Sequence, residues 1–181
     1  MANEIATPQM HTLESFHSKN IEFAKKRIIG SEETPFLAIG LSAQNELLYV
    51  LAPFTNQQEK ESTLLFLSAI FQHENCPFYS VISECWVSRQ PNNQPFKSPS
   101  LDPGKKDILV ILSVDAESRL KHTQFEIKRQ AGKAIDLLSA EELEITGGDM
   151  TRLLTTSIPR KLRRSLLKNW NKQNHTQPII N

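Results

Sequence analysis

Apolar positions recur at two spacings along this chain, and each predicts a different element. Leu13, Phe16, Ile21, Ala24 and Ile28 follow one another at three- to five-residue intervals, which predicts an amphipathic helix over 8–29, opened by Thr7-Pro8 and closed near Gly30. Two short apolar runs, Phe36 to Leu41 and Leu47 to Pro53, flank the polar stretch 42–46 and predict a β-hairpin. Thr55 and Gln58 have capping-box spacing and open a second helix over 55–74, with Leu64, Leu67, Ile70 and Phe71 as its buried stripe and Cys76-Pro77 as its stop. The β-formers of Phe78 to Val87 predict a third strand.

Further along, 89–106 holds Pro91, Pro95, Pro99 and Pro103 and predicts a long loop. Ile108 to Leu112 is apolar on both parities, as expected for a central strand covered on both faces. Thr123, Phe125 and Ile127 alternate with polar neighbours, which marks a strand with one wet face, and Ala134 to Leu138 supplies one more. A short helix is expected near Ser139 to Glu142, then a turn at Gly147-Gly148, and helical pattern returns from Pro159 to about Lys172. Helices followed by a run of strands predict an α+β two-layer domain with a mainly antiparallel sheet and two main helices, plus a basic C-terminal helix. The expected division is a domain over 8–150, a basic helical segment over 151–172, and a disordered tail over 173–181.

Charge changes the picture at one end. Residues 1–150 hold all 20 acidic side chains and 14 of the 21 basic ones, a net −6, whereas 151–181 hold seven basic residues and no acid, a net +7. Such asymmetry predicts an electrostatic contact with a polyanion or with an acidic protein surface. In the last helix Leu162, Leu166, Leu167 and Trp170 share a sector about 140° wide, and Lys161, Arg164, Lys168 and Lys172 another about 80° wide. Arg160 and Arg163 border or interrupt the apolar one. Arg160, Lys161, Arg163, Arg164, Lys168 and Trp170 are therefore the candidate binding residues. A protein partner or self-association is the favoured occupant, nucleic acid held through its phosphates is the alternative, and an anionic membrane surface is the weakest option.

Candidate chemistry is sparse. Glu84 sits on one parity of the third strand with Ile82 and Trp86, where a carboxylate must be protonated or paired, Arg89 being the nearest candidate partner. His122 and Glu126 share one face of a later strand and would form an acid/base or metal constellation with Glu84 if the strands brought them together. The bland reading is a solvated strand face. Cys85 is expected to be a small buried side chain. Gly104-Lys105-Lys106 lacks the leading glycine and the Ser or Thr of a phosphate loop. Without a nucleophile motif, a metal-ligand cluster or a cofactor fingerprint, the reading leans away from an enzyme and expects no metal and no cofactor. With no leader and no long apolar run, it expects a cytoplasmic protein.

The stretch Ser83-Glu84-Cys85-Trp86, the proline-rich interval and Pro99-Ser100-Leu101-Asp102-Pro103 together resemble small uncharacterised bacterial and phage proteins that carry a Glu-x-Trp strand before a Pro-x-x-Asp-Pro turn. The resemblance covers 78–112. It implies a prokaryotic or phage source and no activity.

Overall fold

In a computed structural model the structure describes residues 12–88, 102–140 and 149–174, with side chains up to 168 in the last stretch. The elements are α1 (Leu13–Ile28), β1 (Leu37–Leu41), β2 (Leu47–Leu51), α2 (Gln57–His73), β3 (Phe78–Val87), β4 (Lys106–Asp115), β5 (Leu120–Gln130), β6 (Lys133–Ser139), a 3-10 turn at Asp149–Thr151, and α3 (Arg160–Asn174). The six strands form one antiparallel sheet in the order β2-β1-β3-β4-β5-β6. This is the expected α+β arrangement of helices on an antiparallel sheet.

Capping side chains set the helix starts, and they shift both from the expected positions. Thr12 Oγ1 accepts the Ser15 amide at 3.1 Å and Ser15 Oγ reaches back, so α1 begins at Leu13. Thr7 and Pro8 lie outside the described residues. Asn56 Oδ1 accepts the Glu59 amide at 2.9 Å, and the Glu59 carboxylate takes the Thr55 amide at 2.7 Å. The cap therefore moves from Thr55 to Asn56 and its partner from Gln58 to Glu59. The physical reason is that an anion is favoured over a neutral amide at a helix N-terminus.

Alternation on β1 and β4 sends side chains to both sides of the sheet, and each side has its own helix. On one, Phe16, Ala24 and Ile28 of α1 pack on Leu37, Ile39, Ile82, Leu109, Ile111 and Phe125. On the other, Leu64, Leu67, Ile70 and Phe71 of α2 pack with Ala38, Tyr79, Val81, Leu112 and Val114. Gly40 makes the second contact close. A Cβ there would stand 2.8 Å from two Phe71 ring carbons and 3.0 Å from Cys76 Sγ.

The body does not stop at residue 150, because Leu153 is buried in the α2-side core and the Tyr79 hydroxyl donates to the Met150 carbonyl at 2.8 Å. At the other end α3 continues to Asn174, so residues 173 and 174, expected in a disordered tail, are helical. Most of the proline-rich loop, the expected short helix after Ser139, the Gly147-Gly148 turn and the final residues 175–181 lie outside the described residues.

Candidate functional site

Register across the sheet decides what Glu84 can do. Glu84 pairs with Leu109, and Leu109 with Phe125, so Glu84 lies on the α1 face. His122 stands opposite Leu112, a residue of the α2-side core, and Glu126 stands two pairs along on that same face. The sheet thus separates Glu84 from His122 and Glu126. The three do not form an acid/base or metal constellation, because a one-residue difference in parity places side chains on opposite faces.

Glu84 is satisfied from β5 instead. Arg129 Nη2 donates to Glu84 Oε2 at 2.6 Å and Arg129 Nε to Asp107 Oδ2 at 3.2 Å, while Nη1 reaches the Glu32 carbonyl at 2.8 Å and that of Gly132 at 3.2 Å. Burial works against the Arg129 charge, but the Glu84 and Asp107 carboxylates outweigh it and raise the guanidinium pKa. The planar fork thereby ties three strands to the loop after α1. Arg89, the partner nearest in sequence, lies outside the described residues. Glu126 pairs with Lys106 at 2.7 Å and with Lys128, which hold its carboxyl below the usual range. Cys85 is exposed rather than buried, since β3 there runs out beyond the helix that covers its start.

A polar cluster that sequence reasoning passed over sits between α1 and the sheet. His17 Nδ1 is 2.8 Å from Ser113 Oγ and its Nε2 is 2.9 Å from Thr123 Oγ1. Ser113 bonds Ser80, and Asn20 Nδ2 donates to Ser80 Oγ at 2.9 Å. A serine beside a histidine has the geometry of a nucleophile and its base. Here Ser80, Ser113 and His17 are all buried, so no substrate reaches them and the cluster fastens the helix. One signal was present: His17 and Asn20 fall on the same stripe as Phe16, Ala24 and Ile28. Among the described residues, no group of three or more His, Cys, Asp or Glu side chains could hold a metal ion. A groove of about 190 Å³ between α1 and the 31–35 loop has an apolar floor that includes Phe23, Ile28 and Ile82 and polar walls that include Arg27, Glu33 and Thr34. It is smaller than the roughly 300–1,000 Å³ of ordinary ligand pockets.

The basic helix presents the remaining candidates. Gln72 of α2 fixes its approach: Nε2 donates to the carbonyls of Leu153 at 3.0 Å and Thr156 at 2.9 Å, and Oε1 accepts from Arg163 Nη2 at 2.7 Å. Arg163 is therefore turned toward the body. Leu167 packs against the α2-side core beside it. One hundred degrees per residue then carries Lys161 and Lys168 about 120–140° away from the side that Arg163 and Leu167 turn to the body, and Arg164 about 80° away. Arg160, Lys161, Arg164 and Lys168 are exposed and make no ion pair among the described residues. Leu162, of the apolar sector, is 40% exposed, and it lies about 100° around the helix from Lys161. Trp170 belongs to the helix, and its side chain lies outside what is described.

No helix of the described residues is long and apolar enough to cross a membrane. In comparisons with protein-family models, curated proteins and solved structures, nothing matches this chain.

Proposed function

We propose that this chain is a non-enzymatic binding protein whose α3 ridge docks an acidic protein surface. The observation that carries the reading is the set of four exposed cations, Arg160, Lys161, Arg164 and Lys168, left without ion pairs among the described residues, together with the exposed Leu162 on the adjoining apolar sector of the same helix. A duplex needs the cations alone, for phosphate contacts. An acidic protein also offers something to the leucine, because interfaces combine charge complementarity at the rim with apolar anchors. The commitment of Glu84 to Arg129 speaks against the alternative of a carboxylate enzyme centred there.

The test replaces the four cations together by glutamine, leaving Arg163 and its contact with Gln72 in place. Binding to a fluorescent polyglutamate peptide and to a short DNA duplex is then measured across a salt series. Four exposed charge contacts at about 0.2–1 kcal/mol each predict a loss of peptide affinity of roughly fourfold to several hundredfold. Circular dichroism should be unchanged. Duplex binding that exceeds peptide binding at every salt concentration would transfer the function to nucleic acid, and equal peptide binding by both forms would remove the ridge from it.

A further inference from the structure

The first edge strand of the sheet carries a second interaction surface, independent of α3. Strand β2 reads Leu47-Leu48-Tyr49-Val50-Leu51, with no charge and no proline. Edge strands are ordinarily protected by such residues or by a cover, because their free amides and carbonyls template pairing with another chain. Here Leu47 is 37% exposed, Tyr49 49% and Leu51 57%.

Which backbone groups are free follows from the hairpin. The Ala52 amide donates to the Phe36 carbonyl at 3.1 Å, and the Ser42 amide to the Glu46 carbonyl at 2.8 Å. Even-numbered residues of this strand therefore bond inward to β1. Alternation in an antiparallel ladder turns the amides and carbonyls of Leu47, Tyr49 and Leu51 outward. The side chains of these three residues lie on the α1 face, since their partners Leu41, Ile39 and Leu37 pack in the α1-side core. The Phe23 ring of α1 stands 5.4 Å from that of Tyr49 and extends the apolar strip.

We infer that two copies of this chain pair through β2, antiparallel and centred on Tyr49, to give one sheet running through both. The free positions 47, 49 and 51 are symmetric about Tyr49, which is the requirement of a two-fold contact in which the same patch serves both sides. Tyr49 then meets Tyr49 of the other copy, and Leu47 meets Leu51. Each of these three facing pairs exchanges two backbone bonds, about six in all. Charge agrees with this register: Glu46 faces Ala52 of the other copy, so no like charges meet across the axis. A rotation about an axis normal to the sheet also keeps the Phe23 and Tyr49 rings of both copies on one face. With five residues on each side the contact is small, and the dimer is concentration-dependent.

Cysteine placement tests the geometry in the full-length chain, with the exposed Cys85 replaced by serine. The two Tyr49 Cα atoms would lie about 5.5 Å apart, within disulfide reach. The two Leu47 Cα atoms would be about 14 Å apart, four residues out of register. Tyr49→Cys should thus cross-link to dimer under mild oxidation, Leu47→Cys and Leu51→Cys should each fail alone, and an equal mixture of the two should cross-link. Sedimentation should show the wild-type mass rising toward two chains with concentration, and Tyr49→Lys should stay at one chain with unchanged circular dichroism. The inference is overturned if the wild type remains one chain throughout, or if Tyr49→Cys cross-links no faster than an α3 control such as Leu162→Cys. The four-cation variant of α3 should dimerise like the wild type. Loss of the dimer there, with retention in Tyr49→Lys, would move self-association to the helix and equally overturn pairing through β2.

Discussion

Both ring nitrogens of His17 are occupied by hydroxyls, and that arrangement has a consequence for pH. A neutral imidazole, one nitrogen donating and one accepting, satisfies Ser113 and Thr123 without any buried charge. Burial depresses the pKa of His17. Glu14, ion-paired with Lys121 at the rim, pulls the other way, while Lys121 and His122 add to the depression. Because the folded form holds the proton less readily than the unfolded one, stability is complete above the unfolded value of about 6.5 and is lost as pH falls from there toward the depressed folded pKa. Urea unfolding followed from pH 7.5 downward should show this decline. His17→Leu should flatten it, at a cost of about 1–3 kcal/mol at neutral pH for stranding the Thr123 hydroxyl. A variant with the wild-type pH slope would show that the decline originates elsewhere. Single residues were the least legible scale of this sequence. Glu84 was visible as a carboxylate in need of a partner, but that partner, Arg129, lies 45 residues away. Only strand register selects it, and local sequence does not display register.

Elements were far more legible, because periodicity is a property of each segment alone. The hairpin, the central strand β4, the strand β5 and all three described α-helices follow from apolar spacing, although the face of β5 expected to be wet is covered at Gln124. Helix starts were less so, since neighbouring polar residues compete for the same cap, as Thr55 and Asn56 do. The face each helix takes was not legible at all: nothing local tells α1 and α2 to cover opposite sides of the sheet. Gly40 is where that choice is recorded, because the absence of a Cβ lets the Phe71 ring lie against β1. Gly40→Ala should overpack this contact and cost about 1–3 kcal/mol, read as a lower urea midpoint at an unchanged m-value. Truncating the ring as well, in Gly40→Ala with Phe71→Leu, should recover part of the loss. The two substitutions should then be non-additive, as neighbours sharing one space are. Strict additivity would place the clash elsewhere.

At the scale of the whole molecule, the two surfaces proposed here lie on different parts of the chain, and their placement depends on unequal anchors. Strand β2 is held by its full ladder to β1. At the start of α3, by contrast, the polar contacts to α2 come from one side chain, next to the buried Ile158. Gln72 supplies all three bonds of the clip, two to the carbonyls leading into the helix and one from Arg163, with Leu167 as the apolar contact beside them. At about 0.5–1.5 kcal/mol per bond, Gln72→Ala should weaken docking by roughly 2–4 kcal/mol, with the half-buried Arg163 guanidinium left short of a partner. The sheet does not depend on this clip, so the loss should be local. Hydrogen exchange should therefore quicken in the amides of Arg163 to Lys168 and stay unchanged in β3 and β4. Peptide binding by the ridge should weaken less than in the four-cation variant, because the charges remain and only their orientation is lost. Unaltered exchange in α3 would mean that Leu167 and its neighbours hold the helix without Gln72. Exchange raised equally in β4 would mean that helix and sheet open as a single unit.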